Sequence, residues 1–192
     1  ADGSPRIDVF VFDRSEVFVS DNWRGMGMIA TGSHSFGVEN LMVGEERRFS
    51  LDPGAAKVEG ALYRYPFLQF AEATLAVNLS GMAVRFADLT ATLLGDGPNG
   101  EFPADARRRL DEARKTLFEL ADRSWNILVS GSSLENSLLT GISDAARNLV
   151  KVSRQEVSGL YPLCGLRAAD VTNEINRVWR DFHTASQHGL FK

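Results

Sequence analysis

The chain has 192 residues, enough to bury a sizeable core, and its 44% apolar and 24% charged residues are neither a disordered nor a membrane-protein composition. A net charge of −4 offers no basic field to nucleic acid. The single cysteine, Cys164, cannot form an internal disulfide and suits a reducing, cytoplasmic setting; no unbroken apolar run is long enough to cross a membrane.

The first fifty residues read as β-structure. Arg6 to Phe12 and Glu16 to Val19 are short β-branched and aromatic runs split by the turn-like Asp13-Arg14-Ser15. A second pair is expected around Met26 to Ala30 and Ser35 to Met42, divided by Thr31-Gly32-Ser33. Asp52-Pro53-Gly54 punctuates the chain, so the boundary between a partial β-domain (1–53) and a helical domain (54–192) falls there.

Beyond that point the hydrophobic period becomes helical. A first helix follows Pro66, with Phe67, Phe70, Thr74, Val77, Gly81, Val84 and Leu89 along one stripe and small residues from Ala71 to Ala87 that allow close approach of a neighbour. Gly95 to Gly100 ends it. A second helix starts near Pro103, shows Leu110, Ala113, Leu117, Leu120, Trp125 and Leu128 on its apolar side, and stops at Gly131. The third carries Leu138, Ile142, Ala145, Leu149, Val152, Val157 and Leu160 and ends at Leu163-Cys164-Gly165. The fourth runs from about Ala168 with Val171, Ile175, Val178 and Phe182 on one side. Four long amphipathic helices with short turns predict a mainly α fold, an antiparallel four-helix bundle preceded by a partial β-segment. Their length suggests that some stripes face another subunit.

The residues alone name no reaction. His183 and His188 stand five apart, about 140° around a helix, with no further ligand at metal spacing, so no metal site is expected. By itself His188 reads as a cation at a helix C-terminus. Arg180 and Asp181 are neighbours that do not face each other, so each is expected to pair with another helix. Cys164 reads as a small buried hydrophobe rather than a nucleophile. Thr31-Gly32-Ser33-His34 could hydrogen-bond a ligand or simply turn the chain. Ser130-Gly131-Ser132-Ser133 has no acid–base partner nearby and reads as an interhelical turn. No phosphate-binding glycine loop, dinucleotide fingerprint or hydrolase elbow is present.

Two motifs carry a resemblance. Trp23 to Ser33 has the form Trp-x-x-x-Gly-Met-x-x-Thr-Gly-Ser, and Arg180 to His188 the form Arg-Asp-x-His-x-x-x-x-His. With the Leu160 to Gly165 helix end between them, the order resembles the C-terminal half of the acyl-CoA dehydrogenase superfamily. It is most similar to the branch of two-component flavin-dependent monooxygenases. The resemblance implies reduced flavin as co-substrate, FMN or FAD, supplied by a flavin reductase, and transfer of an oxygen atom to an aromatic or heteroatom substrate. It implies that His188 is catalytic, lying over the flavin ring to donate a hydrogen bond to the activated oxygen or to deprotonate a phenol. Thr31, Ser33, Gly165 and Arg180 become candidate cofactor-binding residues, and a homo-oligomer, dimer or tetramer, is implied. Where dehydrogenases place a catalytic glutamate before a glycine, this chain has His188-Gly189. Their Arg-x-x-Phe-Gly signature is missing at Leu93 to Pro98, which favours FMN or loosely held FAD.

Family members carry an N-terminal helical domain and first β-strands ahead of the matching half. The chain is therefore expected to be either a fragment or a short protein whose other half is lost or encoded separately. Two other functions stay open at this point. One is an acyl-CoA dehydrogenase-like desaturase, with Glu72 as its base. The other is a silent helical bundle that oligomerises without flavin.

Overall fold

A computed structural model describes residues 8–192. Its mass is helical. Helix α1 (Phe67–Leu94), α2 (Glu101–Val129), α3 (Asn136–Leu160) and α5 (Glu174–Ala185) form the four-helix bundle, with the single turn α4 (Leu166–Ala169) before the last. Helix α1 is the centre: it packs on α2, α3 and α5. The core between them is continuous, built from Ala76, Phe86, Leu110, Leu117, Ile142, Leu149, Val157 and Phe182.

The predicted stripe of α1 is only partly turned inward: Val77, Val84 and Leu89 pack against the core, but the stripe is not its buried centre. Phe67 and Phe70 are 49% and 41% exposed, whereas Ala76, Leu79, Ser80, Ala83, Phe86, Ala87 and Thr90 are buried. Apolar residues occur nearly all round this helix, so their period does not select a face. Side-chain size does. Half of the buried positions are alanine or serine (Ala76, Ser80, Ala83 and Ala87), which lets α3 and α2 come close. Among the described residues α1 is the one helix whose length and mean hydropathy, 1.2 over its most apolar window, would suffice for a membrane span. It also buries Glu72, whose Oε1 accepts from Arg147 Nη2 on α3 at 2.8 Å.

The faces of α2 and α3 agree with their periodicity except at Trp125, which is 43% exposed. Ser124 takes the inward position instead and its hydroxyl meets the Tyr65 hydroxyl at 2.7 Å. The fourth predicted helix is broken. Asp170 turns its carboxylate back to accept from Thr172 N (2.9 Å) and Thr172 Oγ1 (2.8 Å), and Val171 is pushed out into solvent. Helix α5 restarts only at Glu174.

The N-terminal segment also departs from its predicted pairing. Strand β1 (Val9–Phe10) pairs antiparallel with β4 (Arg48–Phe49), and β2 (Phe18–Ser20) with β3 (Ser35–Gly37). Asp13 to Glu16 is therefore no hairpin turn: Arg14–Glu16 is a 3-10 turn closed by Glu16 Oε2 on Asp13 N (2.9 Å), and Arg47 pairs with Glu16 from beside β4. Met26 to Ala30 is no strand either. Met28 adopts φ +55°, and Ile29–Thr31 coils into a 3-10 turn. Arg6 and Ile7, where the first strand was expected to begin, lie outside the described residues.

Candidate active site

The Trp23–Ser33 loop folds onto the C-terminal end of α5. Gly27 makes this possible, because a Cβ there would stand 2.2 Å from the Arg180 carbonyl oxygen. Three hydrogen bonds fix the contact. Gly27 N donates to Thr184 Oγ1 (3.0 Å), Met28 N to Asp181 Oδ1 (2.6 Å), and Arg180 Nη1 to Met26 O (2.8 Å). Arg180 Nε also donates to Asn176 Oδ1 (2.8 Å). Arg180 and Asp181 thus find partners chiefly in the loop rather than in another helix.

A groove of 680 Å³ opens where this loop, α1 and the chain after α5 meet. It is lined by Trp23, Met28, Thr31 and Ser33 from the loop, Thr74, Leu75, Asn78 and Leu79 from α1, and Thr184, Ala185, Gln187 and His188. Three of the five sequence-predicted site residues, Thr31, Ser33 and His188, share it. Arg180 and Gly165 do not line it. Gly165 follows Cys164, whose sulfur lies 3.4 Å from Thr90 Oγ1. Thr90 is twelve residues beyond Asn78 on α1, roughly 18 Å along the axis.

The hydrogen bonds define what the groove offers. Thr31 Oγ1 spends its proton on Met28 O (2.7 Å), so in the 2.9 Å contact between Thr31 Oγ1 and Ser33 Oγ the serine donates. Ser33 Oγ is left with lone pairs, an acceptor. His188 starts the 3-10 turn Gly189–Phe191, and its Nδ1 accepts from Leu190 N (3.3 Å). A neutral imidazole then carries its proton on Nε2, a donor. The amides of Asn78 and Gln187 have no hydrogen-bond partner among the described residues, and the indole of Trp23 is held by Nε1 on Met28 O (3.0 Å).

Three further groups, none of them lining the groove, are less suited to chemistry. His183 is half-buried against Trp179 (4.4 Å between ring centroids), and burial pushes its pKa down. Cys164 is buried, and burial holds its thiol above the usual range. Glu72 does not line the groove and is fully buried against Arg147, out of reach of a ligand there. Sequence reasoning missed Asn78 and Gln187, because a solvent-facing amide has no periodic signature. Met28 and Asp181 stood inside the quoted motifs, but only the folded contact gives them a job.

A flat heteroaromatic ring with polar edges fits this lining. The lining surface is largely apolar, it includes the Trp23 indole, and Ser33, Asn78, Gln187 and His188 add donors and acceptors to it. No lysine or arginine lines the groove, so its residues fit the ring of a nucleotide-type cofactor rather than its phosphate.

The sequence matches the family described as "Acyl-CoA dehydrogenase, C-terminal domain" over residues 65–192. It is 26% identical to indole-3-acetate monooxygenase of Pseudomonas putida, over 94% of this chain and 49% of that protein. It is 24% identical to the flavin-dependent monooxygenase oxygenase subunit HsaA of Mycobacterium tuberculosis, over 93% of this chain and 51% of that one. The solved HsaA structure superposes with a TM-score of 0.91 at 22% identity, covering 100% of this chain and 54% of that chain. XiaF from a Streptomyces species, solved with FADH2 and glycerol, gives a TM-score of 0.77 at 19% identity, over 95% of this chain and 51% of XiaF. The chain spans about half the length of these proteins.

Proposed function

This chain belongs to the acyl-CoA dehydrogenase C-terminal domain family, and from that membership we propose that it is the C-terminal part of a flavin-dependent monooxygenase. The observation that carries the reading is the convergence of Thr31, Ser33 and His188 on one groove beside the Trp23 indole. A reduced flavin, FMN or FAD, would supply the activated oxygen. Trp23, Met28 and Leu79 would cover its ring, and Ser33 Oγ and the free amides of Asn78 and Gln187 would meet its polar edge. With Nδ1 engaged by Leu190 N, His188 holds a proton at Nε2, which suits donation of a hydrogen bond over abstraction of a phenolic proton. Arg180 contributes by holding the loop, and Gly165 stands away from the ring. A separate reductase provides the reduced flavin, as the words "oxygenase subunit" in the name of the mycobacterial relative support. The substrate class is aromatic; indole-3-acetate, in the name of the Pseudomonas relative, belongs to it. The exposed aromatic faces of α1 and α2, with Phe67, Phe70, Phe118 and Trp125, suit a homo-oligomer.

The desaturase alternative loses its base, since Glu72 is committed to Arg147. The test is turnover with reduced flavin, oxygen and a panel of phenols and indoles, comparing wild type with His188→Ala and His188→Gln. The expected result is that His188→Ala diverts oxygen to hydrogen peroxide and lowers product at least tenfold, with partial recovery in His188→Gln, which keeps a donor. Unchanged coupling in His188→Ala would overturn the assignment.

A further inference from the structure

The Met28 peptide is the hub of the groove's loop wall. Its carbonyl oxygen accepts from three donors: Trp23 Nε1 (3.0 Å), Thr31 Oγ1 (2.7 Å) and Thr31 N (3.1 Å). Its own backbone is left-handed at φ +55°, a conformation that costs a residue with a Cβ and persists only where its surroundings hold it. What holds it is Asp181, 153 residues away, whose Oδ1 takes the Met28 N–H at 2.6 Å. A carboxylate accepting a backbone N–H makes a charge-assisted bond, stronger than a neutral one. Asp181 does not line the groove itself.

We propose that Asp181 is a positioning residue. By fixing the Met28 peptide it sets the places of Trp23, Thr31 and, through the Thr31–Ser33 hydroxyl pair, Ser33. The effect on ligand binding rests on the flavin reading above; the effect on the loop does not. The carboxylate transmits no proton and touches no ligand. It orients the carbonyl on which an aromatic wall and the hydroxyl chain both depend. The same logic explains why the Trp-to-Ser motif and the Arg-Asp motif occur in one chain: the second is the seat of the first.

Hydrogen exchange on the full chain tests this without any flavin. In Asp181→Ala, the Thr31 amide and the Trp23 indole N–H should exchange at least tenfold faster, while α1 and α3 keep their protection. Asp181→Asn, which retains a carbonyl acceptor at the same place, should restore most of the protection. Gly27→Ala, which forces the loop off Arg180 from the other side, should reproduce the alanine phenotype. Unchanged protection at Thr31 and Trp23 in Asp181→Ala would overturn the proposal. So would loss spread evenly over the bundle, which would make Asp181 a support of α5 only. A parallel titration with reduced FMN separates the two claims. If wild type binds and Asp181→Ala binds at least tenfold more weakly, both stand; if wild type does not bind, the flavin reading fails and the exchange result still decides the role of Asp181.

Discussion

The bundle and the segment ahead of it are held together by different physics. From α1 onward the elements share one apolar core, with Phe86, Leu110, Ile142, Leu149 and Phe182 fully buried. Among the described residues before α1, Gly27 alone is buried, and it is buried by contact with α5. Its strands are two or three residues long, in two separate pairs. The bundle is therefore stabilised by area removed from water, and the segment by a few hydrogen bonds placed at long sequence separation. The groove lies on the seam between the two, where a rigid wall from α1 faces a wall that is only latched.

The contrast can be broken first at its strong side. Phe86→Ala removes a large side chain from the centre of the core and should cost about 3–5 kcal/mol in global unfolding by urea, with loop and bundle signals lost together. Next comes the ion pair of the buried Glu72 with the exposed Arg147. Arg147→Ala leaves the Glu72 carboxylate without its partner, and a loss of about 1–3 kcal/mol is expected in the same assay. On the latched side the effects become local. Trp23→Phe removes the Nε1 donor to Met28 O along with part of the ring surface; at least about 0.5–1.5 kcal/mol should be lost from closure of the loop, read as faster exchange of the Thr31 amide with the melting temperature of the bundle unchanged. The smallest effect is that of pH. Burial depresses the pKa of His183 below its ordinary 6.5. In the interval below that value the unfolded chain binds a proton that the folded chain refuses, so stability is full above 6.5 and falls as the pH drops through the interval. His183→Phe should flatten this slope in denaturation curves taken between neutral pH and pH 5.

The same division decides how much could be read from the sequence. The bundle was legible because each of α2 and α3 repeats its apolar residues at helical spacing over many turns. Helix α1 was legible as a helix but not in its facing, since Phe70 and Phe86 are equally apolar and only the neighbouring alanines and serines tell them apart. The break at Asp170 was missed because a side chain folding back on Thr172 overrode a continuous apolar pattern. The β-segment was read by propensity alone. Pairing of Val9 with Phe49 rather than with its sequence neighbour, and the coil at Met28, follow from contacts that no local pattern encodes. Of the site, Thr31, Ser33 and His188 were singled out through the motifs that contain them. Their meeting across some 155 residues, and the partner Asp181 that makes it possible, required the fold.

Whether a flavin ring sits in this seam is decided by a calorimetric titration of the full chain with reduced FMN, wild type against Ser33→Val. Wild type should bind saturably, and removal of the acceptor should weaken binding about tenfold, near 1.4 kcal/mol. Equal affinity in the two proteins, or no binding to wild type at flavin concentrations on the order of 1 mM, a binding energy of only about 4 kcal/mol, would contradict the flavin reading.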